Sequence, residues 1–207
     1  MSGTWQGLQG TAASDALIQL LLVHRSGSTT NFTPTPAEAG LAALLPSTSH
    51  LPPGLALEFE GALTAEAMPL TFPAPVEAAE HLTTWGWREN ASRRFMPAGE
   101  RAPGAPLAVE ISLHRFASNT GAVSALPYFA ESRAEARGLS LISTELLPPG
   151  EAAVVGKEPE GNEATIYVRL DNVLARVTVI ASDGPAETVA RQVVNGVIAK
   201  RAQLTAG

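Results

Sequence analysis

The sequence predicts an α+β fold: an antiparallel or mixed β-sheet with helices packed on it. Three observations carry this. Candidate strands arrive in adjacent pairs and do not alternate strictly with helices, which argues against a doubly wound parallel sheet. Residues 164–180 read as a β-hairpin with one wholly apolar face. The C-terminal stretch after it reads as an amphipathic helix able to cover that face.

The hairpin is the clearest signal. A two-residue turn at Asp171-Asn172 pairs Leu170 with Val173, Val168 with Ala175 and Ile166 with Val177, all apolar and all on one face. The other face carries Thr165, Tyr167 and Arg169 opposite Thr178, Arg176 and Leu174. Asp and Asn both tolerate the positive φ that a type I′ turn requires. A one-residue slip would expose the apolar row, so the register is specified. For the final helix, Ser182 or Asp183 serves as cap, Pro185 suits the first turn, and Glu187 suits the positive dipole end. Its buried stripe is Val189, Val193, Val194, Val197 and Ile198, with Lys200 and Arg201 at the negative end.

The remaining elements follow in order. Residues 37–45 read as a short helix ending before Pro46. Leu55, Leu57 and Phe59 alternate with Ala56, Glu58 and Glu60, the pattern of a half-buried strand. Pro75 opens a helix to about Thr84, and Trp85-Gly86-Trp87 turns the chain. Residues 87–95 and 107–116 read as strands joined by a Pro/Gly-rich loop. Ser118 or Asn119 caps a helix through Arg137, closed by Gly138, with Ala122, Leu126, Phe129, Ala130 and Arg133 on its inner face. Pro127 leaves two readings, a kinked helix or a helix restarting at the proline.

Three segments organise the 207 residues: an apolar leader at 1–27, a Pro/Thr linker at 28–36, and a single α+β domain at 37–207. The net charge of −6 argues against nucleic acid as a partner, because such readers displace counterions with basic patches. The absence of cysteine excludes disulfides, thiolate catalysis and cysteine-based zinc sites. No apolar run reaches the roughly 20 residues of a membrane span, and no signal peptide is visible.

The stretches Leu113-His114-Arg115-Phe116, 162–169 and 172–179, followed by an amphipathic last helix, resemble the extracytoplasmic sensor-domain superfamily. That group includes PknH-type kinase sensor domains and related bacterial lipoproteins. The resemblance spans about residues 50–203 and implies a PsbP-like α/β sandwich, an extracytoplasmic address (cell surface or secreted), and binding of a small ligand or protein partner. It supplies no catalytic residues. PknH-type sensors carry disulfides, and this chain departs from them there.

Chemistry-bearing residues are few. His24, His50, His81 and His114 show no i,i+4 spacing, so no metal site is predicted, and no nucleotide or nucleophile motif is present. Neither cofactor nor catalytic residue is predicted. His114 is expected as a pH-insensitive residue at a strand edge or as a hydrogen-bonder at the rim of the core. Glu158, Glu160, Asn162 and Glu163 place oxygens in one loop without the calcium-loop pattern, and a solvated approach to the hairpin is expected there.

One candidate recognition surface is Trp85 and Trp87 with Arg88, Arg93 and Arg94, since tryptophan with arginine is a common hot-spot composition. A second is Tyr167, Arg169 and Arg176, conditional on no helix covering that face. A candidate docking segment is Leu17, Leu20, Leu21 and Val23, too apolar to be left in water. Two functions are therefore expected: a non-enzymatic ligand-binding or sensory domain, or an assembly subunit whose leader docks onto another copy.

Overall fold

The hairpin expected at residues 164–180 forms in the computed structural model, which describes residues 40–101, 103–147, 150–156, 161–181 and 186–205. The chain divides into two units, Met1–Thr33 and Pro34–Gly207, and every described residue belongs to the second. The candidate docking segment Leu17, Leu20, Leu21 and Val23 lies outside the described residues, as do the expected cap at Ser182 or Asp183 and Pro185.

The strands are β1 (Leu55–Gly61), β2 (Trp87–Pro97), β3 (Ala108–Phe116), β4 (Ser140–Leu147), β5 (Gly150–Gly156), β6 (Glu163–Leu170) and β7 (Val173–Ile180). The helices are α1 (Pro75–Thr84), α2 (Asn119–Arg137) and α3 (Ala186–Thr205), with a further helical turn at residues 40–42. The strands form one sheet in the order β1-β2-β3-β7-β6-β5-β4, with every neighbouring pair antiparallel. Of the two sheet types expected, the antiparallel one is found. Helix α2 carries the chain from central β3 to the far edge at β4, and the β4–β7 meander returns to pair β7 with β3.

Register in the hairpin is as expected: Leu170 faces Val173, Val168 faces Ala175 and Ile166 faces Val177. The turn itself differs from type I′. Asp171 takes a left-handed φ of 57°, whereas no positive φ occurs at Asn172. The Asn172 amide instead donates to the Phe116 carbonyl at 2.8 Å, which ties the turn to the end of β3. The apolar row packs with Val193, Val194 and Val197 of α3 and with Leu41, Leu44 and Leu45 in one core. Each valine, leucine or isoleucine among them, fully buried, contributes roughly 1.5–3 kcal/mol.

A second core lies on the opposite face, where α1 and α2 pack. Helix α2 runs unbroken through Pro127, which is exposed. Ser118 caps its start by accepting from the Gly121 N–H at 3.1 Å, and Gly138 ends it with φ 60°. Strands β4 and β5 have no counterpart in the sequence reading. A register shift between Leu141 and Ser143 breaks the alternation that marks a strand in sequence.

Gly121 sits where α2 meets the end of α1. A Cβ there would lie 2.1 Å from the Trp85 carbonyl oxygen, so backbone has to move. Gly121→Ala is expected to destabilise by about 1–3 kcal/mol despite alanine's helix preference of about 1 kcal/mol. Gly99→Ala, whose Cβ meets no atom within 4 Å, is the control, and urea denaturation reads both.

Candidate functional site

An open cleft of about 470 Å³ forms where three elements end. Its lining comes from Arg115 on β3, Asn172 and Val173 at the start of β7, Arg201 near the end of α3, and Gly40, Ala43 and Leu44. The volume falls in the range of small-molecule sites, and the lining mixes apolar walls with a few directed polar groups. Arg115 is held by Glu89 at 2.6 Å, and Arg201 by the Asp171 carboxylate. Leu44 and Val173 are buried and supply the apolar wall. None of the residues expected from sequence to form a recognition surface lines this cleft. Its parts are far apart in sequence, and each looks structural alone, Arg201 as a helix-end charge and Asn172 as a turn residue.

On the other face, α2 covers a row of polar side chains. Strand β3 alternates Val109, Ile111 and Leu113 toward the α3 side with Glu110, Ser112 and His114 toward the α2 side. His114 is 2% exposed on a central strand, a correction to its expected place at an edge or rim. Trp87 Nε1–H donates to His114 Nδ1 at 3.5 Å, so the neutral ring carries its proton on Nε2, 3.1 Å from Ser112 Oγ. Asn90 Nδ2–H donates to Ser112 Oγ at 2.7 Å and to the Leu113 carbonyl at 3.0 Å. A proton on Nδ1 would face the Trp87 donor. Burial, and secondarily the Arg176 charge, push the His114 pKa from 6.5 down to about 3.

Lower on this face Thr165 and Thr178 bond each other at 2.9 Å. Glu163 is buried and binds Arg133 at 3.2 Å and Arg137 at 3.0 Å from α2. The approach to the hairpin is thus ion-paired at Glu163, where a solvated one was expected; residues 157–160 lie outside the described residues.

The expected recognition residues are spread over both faces. Arg93 turns toward the α3 side, pairs with Glu60 at 3.1 Å and donates to the Leu45 and Pro46 carbonyls. Arg94 turns the other way, 3.1 Å from Glu58 and 3.6 Å from Glu110, while Arg88 is exposed. Consecutive strand residues alternate faces, so neighbours in sequence do not cluster. Trp85 stacks on His81 with ring centroids 4.7 Å apart and touches Tyr128, and Trp87 binds His114. The condition set for the second surface is not met at Tyr167, which is 2% exposed beneath Phe129 of α2. Arg169 and Arg176 are half-buried on the same face.

Among the described residues no group of three acidic or histidine side chains could hold a metal ion, and no helix is long and apolar enough to cross a membrane. No family model matches the chain, and no curated protein matches it. Among solved structures, the extracellular domain of PknH from Mycobacterium tuberculosis is similar, with a TM-score of 0.49 and 13% identity over 80% of this chain and 97% of that one.

His114 makes stability depend on acid. Between its folded pKa of about 3 and its unfolded value of 6.5, the unfolded chain binds more protons. Stability should therefore be full above 6.5 and fall through that window, by up to about 1.4 kcal/mol per pH unit. Urea denaturation between neutral pH and pH 4 should show the slope in the wild type and a shallower one in His114→Gln.

Proposed function

We propose that this chain is a non-enzymatic ligand-binding or sensory domain that works outside the cytoplasm. The observation that carries the reading is the cleft at the strand ends, of ligand size, with two guanidiniums and an amide set against Leu44 and Val173. Each guanidinium already has one carboxylate partner, Glu89 or Asp171, so the cleft suits a small molecule with a single acidic or polar head and an apolar body. The extracytoplasmic address rests on the sequence resemblance to bacterial sensor domains. No role in bond-making is assigned to any residue, because the buried histidine is neutral with both ring nitrogens engaged.

Benzoate is the probe for this reading. It should shift the backbone amide signals of Gly40, Asn172 and Val173 saturably, with an affinity near 1 mM, about −4 kcal/mol. Ala43→Trp, at an exposed position on the cleft, should abolish the shifts while the fold persists. No shift at about 10 mM benzoate, or shifts undiminished in Ala43→Trp, would sink the cleft as a ligand site.

The apolar segment Leu17, Leu20, Leu21 and Val23 favours a second reading, an assembly subunit that engages further copies through residues 1–27. Light scattering on the chain with and without residues 1–35 decides it. A self-associating full chain that becomes monomeric on truncation supports assembly, and a monomer in both forms removes it.

A further inference from the structure

We infer that the sheet face beside α2 holds a small oxyanion, a phosphate or carboxylate group, between Arg133 and Arg176. The strand register sets the frame. Ser112, Arg176 and Tyr167 stand side by side across β3, β7 and β6, with Glu110, Thr178 and Thr165 one step below. Helix α2 sets Phe129 on Tyr167 with ring centroids 6.3 Å apart, and Arg133, one turn further on, reaches Glu163 of β6 at 3.2 Å, within the charge environment of Arg176 and Glu110.

The charges on this face do not balance. Glu58 and Glu110 are committed to Arg94, and Glu163 to Arg133 and Arg137. Arg176 has no carboxylate at ion-pair distance among the described residues; around it stand the Tyr167 hydroxyl, which it hydrogen-bonds, Ser112, the neutral His114 and a second cation, Arg133. Four arginine Nε atoms on this face are buried without a hydrogen-bond partner, those of Arg94, Arg133, Arg169 and Arg176; Arg94 has the Glu58 carboxylate 3.1 Å from its Nε and Arg133 has Glu163 at its fork, which leaves Arg176 as the one of the central row without a carboxylate.

Either feature alone is costly. A buried donor left unpaired costs about 1–3 kcal/mol, and more when charged. Two guanidiniums close together repel, and burial together with Arg176 accordingly lowers the pKa of Arg133. One anion between them offsets both costs. It accepts from two Nε–H groups and the Tyr167 hydroxyl, and it neutralises the excess cation. The planar guanidinium fork matches the oxygens of phosphate and carboxylate alike. Solvent reaches the site along the C-terminal half of α2, where the Arg133 and Arg137 side chains remain 20% and 25% exposed.

The test is a titration of the full chain with inorganic phosphate, and separately with acetate, against sodium chloride at matched ionic strength. Arginine Nε–Hε resonances and the melting temperature are the readouts. Phosphate or acetate should shift the Arg133 and Arg176 resonances saturably and raise the melting temperature, and the stronger of the two names the source. Arg176→Gln should abolish the gain, Arg176→Lys should weaken binding at least about fivefold through loss of the fork, and Arg191→Gln, at a residue paired with Glu187 on α3 across the sheet, should bind as wild type. Unshifted Nε–Hε resonances at about 50 mM of both anions overturn the proposal and leave internal water as the partner of these donors. Binding by Arg176→Gln within twofold of wild type overturns it equally. If Arg176→Gln does not fold, the wild-type resonances and Arg133→Gln decide, because Arg137 still holds Glu163 in that variant. Benzoate shifts confined to the cleft leave this site untouched, so the two readings fail separately.

Discussion

The central strands β3, β7 and β6 are covered on both faces, by α3 on one side and α2 on the other, so alternation along them has no solvent side to exploit. Everything else follows from that constraint. Toward α3 the strands present valine, isoleucine, leucine and alanine, and burial alone suffices. Toward α2 they present Ser112, His114, Thr165, Thr178, Tyr167 and Arg176, and each buried polar group there needs a partner. The Asn90–Ser112–His114–Trp87 chain and the Thr165–Thr178 pair meet that demand within the protein. The guanidiniums of Arg133 and Arg176 meet it incompletely. The apolar face specifies the fold, and the polar face carries the chemistry.

That division explains what could be read from the residues. The 164–180 hairpin was legible to the register of single pairs, because a row of valines in water is too costly to tolerate slippage. Helix α2 was legible at both ends from Ser118 and Gly138, since capping is local chemistry. Strands β4 and β5 were not, because an irregularity near Leu141 interrupts the alternation. The α2-side face read as outward-facing, since its threonines, tyrosine and arginines look like surface residues until a helix from elsewhere in the chain lies on them.

The candidate sites were legible only in part. Arg93 and Arg94 are adjacent in sequence and engage opposite faces of the sheet, so a cluster of letters became two separate ion-pair systems. Arg176 was singled out, but its partner Arg133 was assigned only to a helix face. The cleft was invisible, being assembled from the ends of β3, β7 and α3 together with the turn near residue 43. Single-residue signals report local backbone preference, whereas convergence of chain ends is a property of topology alone.

The pairing of β3 with β7 has a consequence for how the molecule is made. During synthesis β1, β2 and β3 emerge early and can pair with one another, yet the second partner of β3 is the last strand of the sheet. Until residue 180 has been made, the β7-side edge of β3 stays open, and until residue 205 has been made, Ile111 and Leu113 lack the full cover of α3. An uncapped edge of that kind is a template for pairing with other chains. Completion of the sheet therefore waits on long-range closure, a slow step by nature.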